Sequence, residues 1–341
     1  MRKILSQFFL IILSCVLPLK LFAAQFDKIV MFGDSLSDTG RMYDIFSGAH
    51  KVLPIIPVLP KSPPYYNGRF SNGPVWIENL AASLHLNLQN YALGGSLAES
   101  FWESGVVFPW SFDTMLDSYL TDNLFDTKKA QHLYVVWGGG NDYLNDRPDV
   151  EGATSKTIIA IKRHIDKLAS AGATHILVLN LPDLGQAPIA RERGPDAAAH
   201  MSLLVRQHNA KLQKMVVEAK RKYVGKVDIL LADVNYYFED ALINPAKYQL
   251  KDVSHACYTG GFTLQMDARS PALTAMKNSL NLDVMNNASL RTVYLMGQSL
   301  DTNVCENPDE YLFWDIIHPT RATHRIVAAK VEEALKISGW V

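Results

Sequence analysis

The strongest constraint on the fold is a recurrence of short apolar runs that stop abruptly. The run 28–32 ends at Gly33, 132–137 ends at Gly138-Gly139-Gly140, and 175–181 ends at Pro182. The run 227–234 leads into an aromatic loop, and 86–92 is a weaker fifth. Near-continuous apolar runs of this length are how strands look when both faces of a parallel sheet are covered. Amphipathic stretches of helical length lie between them, over 74–84, 155–170, 197–223 and 321–337. Pro74 suits a first-turn position, where its missing N–H costs nothing, and Gly172 suits a C-terminal stop. Strand and helix in alternation predict an α/β fold with a mostly parallel sheet between helical layers, a three-layer α/β/α sandwich. No internal repeat or low-complexity linker divides the chain, so residues 25–341 are expected to form a single domain.

Two stretches do not fit the alternation. Residues 52–64 hold five prolines and read as an extended surface loop. Residues 240–309 show no clean period and contain Cys257 and Cys305. Long irregular stretches inside a domain are often functional lids.

The N-terminus reads as a secretory signal peptide over 1–24. Met1-Arg2-Lys3 is cationic, an apolar run follows from Ile4 to Phe22, and Ala23-Ala24 precede the polar Gln25. Export through a Sec-type leader places the protein outside the cell and removes Cys15. The two remaining cysteines, Cys257 and Cys305, are then expected to be bridged, with a pair of buried free thiols as the alternative. A zinc site lacks the Cys/His spacing it needs. The 33 Lys+Arg balance 34 Asp+Glu, so the cationic surplus that nucleic-acid phosphates require is missing and no nucleic-acid partner is expected.

Chemistry concentrates at the ends of the strand runs. In an open parallel sheet ligands bind beyond the carboxyl ends of the strands. Ser35, in Gly33-Asp34-Ser35-Leu36, sits there after the first run; it is either a nucleophile or an N-cap for the next helix. Asp315-Ile316-Ile317-His318 spaces a carboxylate and an imidazole about one turn apart. Asp315 can then hold Nδ1–H of His318 and leave Nε2 to take a proton from Ser35. Acyl transfer also needs donors for an oxyanion. Gly94-Gly95 follows the weak run and presents two alternative N–H groups, while Asn141 in Gly139-Gly140-Asn141-Asp142 adds a side-chain amide. A binding module would need none of Ser35, Asn141, Asp315 and His318.

Phe32-Gly33-Asp34-Ser35-Leu36-Ser37-Asp38, Gly94-Gly95, Gly139-Gly140-Asn141-Asp142 and Asp315-Ile316-Ile317-His318 resemble the four blocks of the GDSL (SGNH) hydrolases, in the family's order. Tyr65-Tyr66-Asn67-Gly68-Arg69-Phe70-Ser71-Asn72-Gly73-Pro74-Val75-Trp76 is similar to its secreted bacterial branch of lysophospholipases, phospholipases A and glycerophospholipid:cholesterol acyltransferases. The resemblance implies a flavodoxin-like sandwich, Ser35 as nucleophile, His318 as base and Asp315 as its partner. It implies Ser35 N–H, Gly95 N–H and the Asn141 amide as oxyanion donors, with no metal or organic cofactor. The implied substrate is a phospholipid or lysophospholipid at a membrane or micelle surface, with water or a sterol as acyl acceptor. A secreted carbohydrate acetylesterase is the second reading, because one fold and triad serve both substrates. Phe101-Trp102 and Val106-Val107-Phe108-Pro109-Trp110 are candidate lining for an acyl groove. The loop 257–305 reads either as a disulfide-closed lid over the acyl groove, activated when a protease nicks it, or as a passive insertion stapled for stability.

Overall fold

Strands β1 (Lys28–Gly33), β2 (Asn87–Asn90), β3 (His132–Trp137), β4 (His175–Leu179) and β5 (Asp228–Ala232) form one sheet in the order β2-β1-β3-β4-β5. Every neighbouring pair is parallel. β1 and β3 run in register from Lys28 opposite His132 to Gly33 opposite Trp137. All of β3 and all but the first residue of β1 are buried, so both faces of the sheet are covered. From β1 the chain goes outward to β2, then crosses back to β3 on the other side. The strand order reverses between β1 and β3, which opens a crevice at their carboxyl ends. Ser35 and Asn141 follow those two strands.

The computed structural model describes residues 26–53, 58–99, 110–144, 147–260 and 303–341. The expected leader over 1–24, most of the stretch 101–110 and residues 261–302 of the cysteine-bounded loop lie outside them.

The described helices are α1 (Arg41–Val52), α2 (Trp76–Ser83), α3 (Phe112–Asp122), α4 (Val150–Ser170), α5 (Pro188–Glu192), α6 (Pro195–Lys222), α7 (Val234–Ile243) and α8 (Arg321–Ile337). α4 packs against α3 and α6, whereas α8 packs against α2 and α7. The sandwich read from the sequence is therefore the observed architecture. Individual boundaries differ. α2 begins at Trp76, so Pro74 precedes the helix instead of occupying its first turn. α4 begins at Val150, earlier than periodicity suggested, because the Asp149 side chain accepts from Gly152 N–H at 2.9 Å and caps it. α7 replaces the expected aromatic loop: Val234, Phe238 and Ala241 bury one helical face. α1 and α3 were not anticipated, and Val52 belongs to α1 and not to the proline-rich loop.

A second, two-stranded parallel sheet joins β6 (Asp252–Ala256) to β7 (Tyr311–Phe313), so part of the stretch that lacked a period is regular. Cys257, directly after β6, is disulfide-bonded to Cys305, 48 positions on. Closing a loop of that length stabilises the fold by roughly 4 kcal/mol in the chain-entropy account. Cys257 N–H donates to Phe313 O at 3.0 Å and Tyr258 N–H to Trp314 O at 2.6 Å. The bridge is thus fastened to the strand that leads into Asp315.

Candidate active site

Gly33 ends β1 in close contact with β3, where a Cβ would lie 2.7 Å from Trp137 O. The chain turns at once: Ser37 and Asp38 N–H both donate to Asp34 O at 3.0 Å, and Leu36 N–H donates to Asp34 Oδ1 at 3.0 Å. This turn presents Ser35 at the carboxyl end of β1. Ser35 is not a helix cap. α1 starts at Arg41, and its leading amides go to Asp38, whose Oδ1 accepts from Gly40 and Arg41 at 2.9 and 2.7 Å.

β7 supplies the opposing groups through a closed turn. Trp314 N–H donates to His318 O at 2.7 Å, and Phe313 pairs with Pro319 across the turn. Inside it, Asp315 Oδ1 accepts from Ile317 and His318 N–H at 2.8 and 2.7 Å. Asp315 Oδ2 lies 2.7 Å from His318 Nδ1, and His318 Nε2 lies 2.8 Å from Ser35 Oγ. A neutral imidazole with its proton on Nδ1 satisfies both contacts, donating to Asp315 and accepting from the Ser35 hydroxyl. Burial alone would push the Asp315 carboxyl up. Attraction to the imidazolium that His318 becomes on protonation, the His318 Nδ1 hydrogen bond and the His318 and Ile317 amides outweigh that and hold it below the ordinary carboxylate range.

Sequence reasoning missed one contact here. The buried Tyr65 hydroxyl donates to Asp315 Oδ2 at 2.8 Å. Burial first, then the adjacent Asp315 charge, push its hydroxyl well above the ordinary tyrosine value, so it stays a donor. The motif over 65–76 was the available signal, but it carried no hint of which residue Tyr65 touches.

The donor side is built from the loops after β2 and β3. Gly94 N–H is committed to Asp38 Oδ2 at 2.8 Å. Gly95 adopts φ +72°, a left-handed conformation that favours glycine. Its N–H and that of Ser35 have no acceptor among the described residues. Asn141 Nδ2 gives one hydrogen to Ser96 O at 2.9 Å, which leaves the other uncommitted among the described residues. Asp142 accepts from Ala98 and Glu99 N–H at 3.0 and 3.1 Å and braces the same loop; burial pushes its carboxyl up to about 7.

An apolar cleft opens beside Ser35 and Asn141, lined by Leu36, Leu144, Leu184, Phe238, Leu242 and Ile317 among others. Asp34 also faces it; burial pushes its carboxyl up to about 6 against the pull of the Leu36 amide and the His318 charge. The expected lining Phe101-Trp102 and Val106-Val107-Phe108-Pro109 lies outside the described residues. Of the stretch 101–110 only Trp110 is described, and it packs edge-on against Phe46 at 5.9 Å. Among the described residues the apolar wall comes from α7 and the segment after β4, because α7 turns Phe238 and Leu242 towards Ser35.

Residues 29–331 match the GDSL-like lipase/acylhydrolase family. The chain belongs to that family. A phosphatidylcholine-sterol acyltransferase of Aeromonas hydrophila is 34% identical over 310 residues, spanning 88% of this chain and 87% of that protein. A thermolabile hemolysin of Vibrio parahaemolyticus is 27% identical, over 91% of this chain and 64% of its own length. A secreted effector protein of Salmonella typhimurium is 27% identical over 89% of this chain and 62% of its own. This GDSL hydrolase is a lipolytic carboxylic ester hydrolase, and its four sequence blocks meet at one crevice. The first follows β1, the second β2, the third β3 and the fourth β7.

Proposed function

We propose that this GDSL hydrolase cleaves the acyl ester of a phospholipid or lysophospholipid through a Ser35 acyl-enzyme. Ser35 Oγ attacks the ester carbonyl carbon as His318 Nε2 takes the hydroxyl proton, and Asp315 stabilises the imidazolium. The carbonyl oxygen becomes an oxyanion and accepts from Ser35 N–H, Gly95 N–H and Asn141 Nδ2. Removing one such donor typically costs ~2.7–4 kcal/mol of barrier. Collapse of the intermediate breaks the bond to the leaving alcohol, which carries off the proton from Nε2. Water, or a sterol hydroxyl in acyl transfer, repeats the sequence on the acyl-enzyme and frees Ser35.

The observation that carries this reading is the apolar lining of the cleft directly beside Ser35, which suits a hydrocarbon acyl chain better than a hydroxyl-rich sugar. The name of the Aeromonas relative supports a phospholipid substrate and a sterol acceptor. The carbohydrate acetylesterase reading has less support. The leader-like segment 1–24, the disulfide and a relative named as secreted support export, with a membrane or micelle as the surface that presents substrate.

A substrate panel tests it, with palmitoyl lysophosphatidylcholine, dipalmitoyl phosphatidylcholine, butyryl ester and acetylated xylan assayed side by side. Palmitoyl esters are expected to turn over much faster than the acetylated sugar. Leu242→Trp, which narrows the cleft, is expected to cut kcat/KM on the palmitoyl lipid about 10-fold, within the range that pocket contacts supply. The butyryl ester is expected to change little. Faster cleavage of acetylated xylan than of either lipid would establish the second reading.

A further inference from the structure

The segment 65–72 has no part in the chemistry above, yet it follows the Asp315–His318 turn contact by contact. Tyr65 OH reaches Asp315 Oδ2 at 2.8 Å. The Phe70 ring lies against the His318 imidazole, with centroids 5.2 Å apart and planes tilted by 33°. Ser71 Oγ donates to Pro319 O at 2.9 Å, and Arg321 N–H donates to Asn72 Oδ1 at 2.7 Å. Tyr65 is itself held in place. Its ring packs edge-on against Tyr258 at 5.7 Å and Trp314 at 6.3 Å, and Ser62 Oγ donates to its carbonyl at 2.8 Å. Phe70 is fully buried and touches the donor side too: its ring fills the space where a Gly94 side chain would stand, 2.4 Å from the Cβ position.

We propose that Tyr65 and Phe70 are positioning residues that set the Asp315–His318 pair relative to Ser35. The inference rests on the reading of Asp315 and His318 as orienter and base. Asp315 has one oxygen fixed by two backbone amides, and the other serves His318 Nδ1 and Tyr65 together. The tyrosine hydroxyl therefore completes the restraint on the carboxylate and shares the charge that His318 sees. Phe70 restrains the imidazole through one ring face and is wedged against the loop that carries Gly95. Neither side chain is given a role at the reacting atoms; both act through Asp315 and His318.

The experiment is a double-mutant cycle on a soluble p-nitrophenyl butyrate ester, read below the thermal midpoint of each variant. Tyr65→Phe deletes one hydroxyl and is expected to lower kcat about 10-fold with KM unchanged, the scale of a hydrogen bond to a charged acceptor. In an Asp315→Asn background the same change is expected to cost less than about 2-fold, because the residue it acts through is already altered. The low-field proton resonance of His318 Nδ1–H is expected to move in Tyr65→Phe, since its acceptor oxygen has lost a competing donor. Equal losses in the two backgrounds, or wild-type kcat with an unmoved resonance in Tyr65→Phe, would overturn the positioning role. Asp315→Asn as fast as wild type would instead overturn the assignment of the pair itself.

Discussion

Ser35→Ala is expected to abolish turnover of every ester substrate while the protein stays folded. The substitution removes one hydroxyl, and the hydrogen bond it loses is the one to His318 Nε2. His318 keeps its contact with Asp315 and with the Phe70 ring, so the stability change is about 1 kcal/mol or less. The catalytic loss is of another order. Without Oγ no acyl-enzyme forms, and losses of about 10⁴–10⁶-fold in kcat are the scale for a missing nucleophile in a triad. Circular dichroism, thermal melting and steady-state rates on the purified variant check both halves of the expectation.

Asp315→Asn is expected to slow kcat about 10⁴-fold with little change in KM, through the histidine tautomer. The asparagine Oδ1 can still accept from the Ile317 and His318 amides. Its Nδ2 then stands where Oδ2 accepted from His318 Nδ1, so two donors would meet. The imidazole resolves this by moving its proton to Nε2, where it faces Ser35 Oγ and can no longer take a proton from it. The aspartate carboxyl sits below its usual range, so the wild-type enzyme keeps it ionised throughout the neutral region. Steady-state kinetics with the low-field proton spectrum of the variant check this, and a rate within a few-fold of wild type would exclude the mechanism.

The parts of this molecule that were legible in its sequence are those whose physics is local. β1, β3 and β4 are buried on both faces, so they appear as near-continuous apolar runs with glycine or proline at or shortly after their ends. The Asp315–His318 contact closes within one turn, so spacing alone suggests it. α7 was hidden because a single residue, its N-cap Asp233, separates it from β5, so the change of period from strand to helix is abrupt. The wall of the cleft that α7 forms was hidden for the same reason. α1 carries Gly48 in its middle and runs into prolines, which weakens its helical signature. Tyr65 and Asp315 are 250 positions apart, and nothing near either residue records that they touch. The adjacent glycines Gly94 and Gly95 became distinguishable only when the Asp38 carboxylate was seen to occupy one N–H.

The central claim, that Ser35 Oγ is the atom that receives the acyl group, is tested most directly by covalent trapping. The wild-type enzyme is incubated with a fluorophosphonate, digested and mapped by mass spectrometry. The account predicts one adduct per chain, on Ser35, with loss of esterase activity in proportion to labelling and no adduct on Ser35→Ala. An adduct on another residue that tracks the loss of activity, or Ser35→Ala labelled at the wild-type rate, would contradict it.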